Sequence, residues 1–88
     1  MNFSLDIINE KGLHARASAK FVQTVERFDV DVRVTRGNET VGGTSIMGLM
    51  MLAAGIGTSI TVSAKGPQAA ECVDALDALV SGKFGEEE

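Results

Sequence analysis

The stretch Gly12-Leu13-His14-Ala15-Arg16-Ala17-Ser18 joins two different periodicities, and that junction fixes how the chain begins to fold. Before it, residues 2–8 alternate apolar Phe3, Leu5 and Ile7 with Asn2, Ser4 and Asp6, the pattern of a strand with one buried face. After it, from Ala15 to Arg27, the apolar positions Ala19, Phe21, Val22, Val25 and Phe28 recur every three or four residues, while Lys20, Gln23, Thr24 and Arg27 can face water. A helix starting here puts His14, the only histidine, at its amino end. Free N–H groups of a first turn point out of a helix and its dipole favours negative charge there. Arg16 adds a fork of donors, and phosphate is the anion best matched to that arrangement.

Working outward, residues 29–36 alternate again, with Val30, Val32 and Val34 on one face and Asp31, Arg33 and Thr35 on the other. Gly37-Asn38 turns the chain into a short extended piece, residues 39–42, which completes a hairpin. Residues 46–54 read as a short helix capped by Ser45 or Thr44, with Leu49 and Leu52 facing the core. That segment holds too many apolar residues for one buried stripe, so Ile46, Met47 and Met50 are expected to form an adaptable docking patch near His14. Gly55-Ile56-Gly57 releases it into a strand over residues 58–64, with Ile60, Val62 and Ala64 inward. Gly66-Pro67 ends that strand, and Pro67 suits the first turn of a last helix. Its stripe is Cys72, Val73, Leu76, Leu79 and Val80, with Gly82 as its stop. Residues 83–88 read as a frayed acidic tail that only Phe84 anchors.

The order strand, helix, strand, strand, helix, strand, helix predicts an α+β fold, βαββαβα. In it a four-stranded, mainly antiparallel sheet is covered on one face by the first and last helices, an open-faced two-layer sandwich. The middle helix would close an edge or corner. Eighty-eight residues supply one core and predict one domain, 1–88.

Composition narrows the function. The 8 basic residues against 12 acidic ones give a formal charge of -4 and no excess field to gather nucleic-acid phosphates. Interleaved aromatics are absent too, which argues against RNA binding. A lone cysteine, Cys72, leaves no internal disulfide and no thiolate metal cluster, and its place on the last helix makes it a core residue. No run reaches membrane-spanning length and no secretory pattern opens the chain, so the cytoplasm is the expected compartment. Gly42-Gly43-Thr44-Ser45 lacks the Gly-Lys-Ser/Thr ending of a nucleotide loop. No cofactor and no metal are expected.

Two separated segments resemble the HPr family, the phosphocarrier proteins of the bacterial phosphoenolpyruvate-dependent phosphotransferase system. Gly12-Leu13-His14-Ala15-Arg16 is similar to that family's active-site stretch, and Ser45-Ile46-Met47-Gly48 to its regulatory-serine stretch, with the elements in the same order along essentially the whole chain. The resemblance implies that His14 accepts a phosphoryl group on Nδ1 from phosphorylated Enzyme I and passes it to an EIIA-type protein, with Arg16 beside the group. Backbone N–H groups of Ala15, Arg16 and Ala17 would receive its oxygens. It further implies that Ser45 corresponds to a serine phosphorylated in some bacteria by an HPr kinase/phosphorylase. Lys20, one turn beyond Arg16, is expected at the partner interface with Ile46, Met47 and Met50.

One departure from the family pattern is Ala17, where proline is usual after the arginine. Alanine restores an N–H at that position and loosens the first turn. The methionine-rich second helix and acidic tail look closer to the nitrogen-related NPr branch, or to proteobacterial forms feeding a regulatory phosphorelay, than to a dedicated sugar carrier. The expected protein is therefore a monomeric carrier without independent turnover. The alternative is a regulatory protein that binds a metabolic enzyme or transcription factor according to its phosphorylation state.

Overall fold

Period-two alternation places Leu5, Val32, Val34, Ile60, Val62 and Ala64 on one face of a four-stranded sheet, and all six are buried. The computed structural model describes residues 1–86. Its strands are β1 (Asn2–Asp6), β2 (Asp31–Arg36), β3 (Glu39–Gly42) and β4 (Ser59–Lys65), and its helices α1 (Ala15–Glu26), α2 (Ile46–Met51) and α3 (Ala69–Ser81). The sheet order is β1-β4-β2-β3 and every neighbouring pair is antiparallel. The register sets Leu5 opposite Ile60, Val62 opposite Val34 and Ala64 opposite Val32 on the inner face. Ser4, Thr61, Thr35 and Thr40 line up across all four strands on the other.

The inner face packs against Ala17, Phe21, Val22 and Val25 of α1 and Cys72, Leu76 and Val80 of α3, forming one hydrophobic cluster. Each fully buried aliphatic or aromatic side chain contributes about 1.5–3 kcal/mol relative to exposure. Leu49 and Leu52 join the cluster from the second helical segment, as their spacing predicts.

Two boundaries differ from expectation, each for a local reason. The short helix ends at Met51, not Ala54, because Leu52 caps it and Ala53 takes a left-handed φ of 52°. Of the two expected caps, Ser45 and Thr44, its amino end uses Ser45, whose hydroxyl accepts the Gly48 N–H at 3.0 Å. The last helix starts at Ala69, so Pro67 lies just outside it. Gln68 holds the chain off the helix by exchanging two hydrogen bonds with Asp29, side chain to N–H at 2.7 Å and N–H to carbonyl at 3.2 Å.

The expected frayed tail is the largest correction. Lys83–Gly85 form a 3-10 turn, and Phe84 is 1% exposed in the core. The Phe84 ring anchors more than itself, since the Lys20 ammonium crosses from α1 to donate to the Phe84 carbonyl at 2.5 Å. Residues 87 and 88, the remainder of that expected tail, lie outside the described residues.

The loop before α1 is held against the loop after α2. The Leu13 N–H donates to the Ala54 carbonyl at 2.9 Å, and Gly12 has a φ of 61°. A Cβ on Gly12 would lie 2.4 Å from that same carbonyl oxygen and 2.8 Å from the Gly55 Cα, both backbone atoms. Gly12→Ala is therefore expected to cost about 2–3 kcal/mol, from left-handed strain plus overpacking. Urea unfolding checks this, and a loss under about 0.5 kcal/mol would contradict it.

Candidate functional site

His14 is the residue before α1, in extended conformation, and its side chain makes no capping bond to the helix. Its carbonyl accepts the Ser18 N–H at 2.9 Å, which closes the first turn. Among the described residues, the N–H groups of Ala15, Arg16 and Ala17 have no acceptor, so the turn presents three donors beside the ring. The first turn contains no acidic residue that would occupy that positive end. Arg16 is exposed and makes no ion pair among the described residues. An arginine at a helix amino terminus opposes the dipole until an anion binds, and three N–H groups with a guanidinium form a complementary cradle for one.

The ring is not free. Its Nε2 lies 2.5 Å from Oε2 of Glu86, and the two side chains are 27% and 12% exposed. A carboxylate only accepts, so the shared proton sits on Nε2 and the neutral ring keeps its lone pair on Nδ1. Glu86 is held in turn by the buried Asn9, whose Nδ2 donates to the carboxylate at 3.2 Å and to the Gly12 carbonyl at 2.9 Å. His14 also lines an open cleft of about 220 Å³ with Lys11, Leu13, Ala53, Ala54 and Gly55.

The His14 hydrogen bond holds the Glu86 carboxyl below the usual glutamate range, aided by the Asn9 amide and the charge of Lys11 and opposed by burial. A carboxyl lowered in the folded state adds stability above the ordinary value of about 4.3, and that contribution is lost as pH falls through the lowered value. Wild type is thus expected to exceed Glu86→Gln in stability at pH 7, with the gap narrowing as the pH is taken down through the lowered glutamate value. Urea titrations of the pair at pH 7 and at a series of acid pH values measure it; a gap that stays constant throughout would refute the contact.

The other expected residues lie in three places. Ser45 is exposed at the start of α2, where its hydroxyl is already engaged as the helix cap. Ile46, Met47 and Met50 are exposed, Met47 by 68%, and Met51, outside the expected patch, is 70% exposed. Lys20 is half-buried against the C-terminal turn, its ammonium on the Phe84 carbonyl. Sequence reading missed Asn9 and Glu86: the first lies just past the alternating residues 2–8, and the second lies in the segment read as a frayed acidic tail. Burial pushes the Cys72 thiol up, with the nearby Arg27 charge acting against it, so Cys72 is inert core as expected. The described residues contain no cluster of His, Cys, Asp or Glu able to hold a metal ion.

An open-faced antiparallel sandwich with a histidine at the start of its first helix, beside unpaired N–H donors, is an architecture able to hold an anion against an imidazole. The family described as "PTS HPr component phosphorylation site" matches residues 1–82. The chain belongs to this family, the HPr phosphocarriers of the phosphotransferase system. It is 53% identical over 85 residues to a phosphocarrier protein HPr of Neisseria meningitidis, covering 97% of this chain and 96% of that one. A phosphocarrier protein NPr of Shewanella violacea is 40% identical over 80 residues, covering 91% and 88%. The crystal structure of HPr-C-His from Thermoanaerobacter tengcongensis superposes with a TM-score of 0.94 at 40% identity, covering 100% of this chain and 99% of that one.

Proposed function

We propose that His14 takes a phosphoryl group on Nδ1 from phosphorylated Enzyme I and hands it to an EIIA-type protein, with Arg16 and the N–H groups of Ala15, Arg16 and Ala17 receiving its oxygens. The observation that carries this reading is the half-exposed imidazole beside three N–H groups without acceptors at the amino end of α1. In the forward step the Nδ1 lone pair becomes the N–P bond. The donor's bond to phosphorus breaks with its electron pair left on the donor, which takes up a proton. The acceptor ring gives up its remaining N–H proton to solvent or partner.

The dipole favours the bound anion by about 0.3–1 kcal/mol, enough to orient it without trapping it. Tighter binding of the ground state would slow the onward transfer, which only interactions strengthened in the transition state accelerate. The carrier therefore has no turnover of its own, and its partners supply the remaining alignment. Ala17 contributes an N–H that proline at that position could not. This reading assigns the protein to the cytoplasm as a monomer that needs no cofactor.

The test is incubation with phosphoenolpyruvate and Enzyme I, followed by intact mass and mild acid. One acid-labile phosphoryl group per chain is expected, and an unlabelled or acid-stable product would overturn the reading.

Ser45 supports a second, regulatory reading, because it stands at the edge of the exposed Ile46, Met47, Met50 and Met51 surface. A phosphate there, carrying about -1.5 to -2 charges, would repel an acidic docking face on Enzyme I and burden the apolar patch with desolvation. Aspartate still caps the helix, so Ser45→Asp isolates the charge. It is expected to slow labelling of His14 by about tenfold, equivalent to roughly 1.4 kcal/mol. An undiminished rate would sink this regulation. The sugar and nitrogen branches differ in the final acceptor, and transfer from the labelled protein to each type of EIIA decides between them.

A further inference from the structure

We infer that Glu86 is the positioning residue of this site, and that the turn carrying it releases the ring once His14 is phosphorylated. This rests on the reading of His14 as the phosphoryl acceptor. Three observations converge on it. The carboxylate meets the ring at 2.5 Å from Nε2, on the nitrogen not used for transfer. Asn9, wholly buried, steadies the carboxylate through Nδ2 and is itself tied to the Gly12 carbonyl, two residues before His14. The turn beneath is anchored by the Phe84 ring and by the Lys20 ammonium on the Phe84 carbonyl, and it contains consecutive left-handed residues, Lys83 at φ 55° and Phe84 at φ 56°.

That combination gives Glu86 opposite roles before and after transfer. Beforehand it keeps the proton on Nε2, so Nδ1 presents a lone pair. As the N–P bond forms and the donor's bond breaks, the ring briefly carries positive charge with Nε2 still protonated, and the carboxylate stabilises that charge where it develops. When the Nε2 proton has left, a phosphoryl group of about two negative charges shares the ring with a carboxylate that has lost the ring's N–H and keeps only the Asn9 amide as a donor. Like charges with no proton between them repel. Residues held in left-handed conformation persist only while their surroundings over-determine them, and Glu86's bond to the ring is one of those determinants. Phe84 stays anchored, and the segment after it lets go.

Ring spectroscopy on the unmodified protein tests the first half. Nitrogen-15 labelled wild type is expected to show a His14 Nε2–H proton slowed in exchange with water. Glu86→Gln loses that protection and Glu86→Asp recovers part of it. A ring protonated at Nδ1, or the same protected signal in Glu86→Gln, would overturn the assignment.

Amide exchange tests the release, using protein phosphorylated by Enzyme I or, independently, by phosphoramidate. The Glu86 N–H, bonded to the Lys83 carbonyl at 3.0 Å, is expected to exchange on the order of tenfold faster after phosphorylation. The Gly82 N–H, bonded to Ala78, serves as the unchanged control. In Glu86→Gln phosphorylation should leave the amide at residue 86 unaltered. Unchanged exchange at Glu86 in fully phosphorylated wild type, or equal loosening at Gly82, would refute the release. A chain that neither donor phosphorylates would overturn the carrier reading and the release with it, while the ring proton alone still decides Glu86's hold on His14.

Discussion

His14→Ala is expected to abolish the acid-labile phosphoryl group completely while leaving the protein folded. The chain has no other histidine, and its lone cysteine is buried with its thiol pushed up by burial, so no second nucleophile of comparable reactivity can substitute. The loss should be clean because His14 contributes little to the helix it precedes. Its side chain makes no capping bond, whereas its carbonyl, which alanine retains, accepts from Ser18. The side-chain contact that disappears is the one to Glu86, a partly solvated pair whose removal should change stability by no more than about 1 kcal/mol. Asn9 still donates to the released carboxylate. Intact mass after incubation with phosphoenolpyruvate and Enzyme I reads the label, and urea unfolding reads the fold. A surviving acid-labile adduct in a folded variant would remove His14 from the mechanism.

Loss of label together with retained stability would separate chemistry from architecture, and the same division marks what the sequence made legible. Alternation in residues 2–8, 29–36 and 58–64 identified three strands, because a two-residue period in an antiparallel sheet directly reports which face is buried. The spacing of Phe21, Val22 and Val25 did the same for α1. Helix ends were less legible: Pro67 fits a first turn chemically, and only the Gln68–Asp29 exchange, between residues far apart in the chain, moves the start to Ala69. Ala53 gave no warning of its left-handed backbone, since alanine favours the helix that it here terminates.

For the site, the ring and its donors are consecutive residues, so local reading found them. The group that orients the ring is 72 residues away, in a segment whose composition signals solvation. No local rule predicts that Lys83 and Phe84 turn back through left-handed conformations to bring Glu86 home. Phe84 was the one visible clue, an aromatic residue in a charged tail.

Phe84→Ala tests whether that clue accounts for the whole C-terminal turn. The ring is 1% exposed and belongs to the same cluster as Phe21 and Leu76, so truncation removes its burial and leaves a cavity beneath α1 and α3. Phenylalanine to alanine in a core costs about 3–5 kcal/mol. Against a total of about 5–15 kcal/mol for a domain, that is a major fraction. Alanine relieves none of the left-handed strain at this position, because its Cβ meets the same steric limits. The turn thus keeps its strain and loses its anchor. The Lys20 bond to the Phe84 carbonyl cannot hold it alone: a single exposed or half-buried hydrogen bond contributes about 0.5–1.5 kcal/mol.

The expected result is a fall of about 3–5 kcal/mol in urea unfolding at pH 7 with an unchanged m value, and loss of the protected His14 Nε2 proton in the variant that remains folded. Phe84→Leu keeps most of the apolar volume and should cost under about 1.5 kcal/mol while retaining that proton. If Phe84→Ala lost less than about 1 kcal/mol, the turn would be peripheral to the core. If it lost the stability but kept the ring proton, Asn9 alone would hold Glu86. The two readouts therefore assign the position of the carboxylate either to burial of one aromatic ring or to one buried amide, and the sequence separation of those two groups decides which end of the chain governs His14.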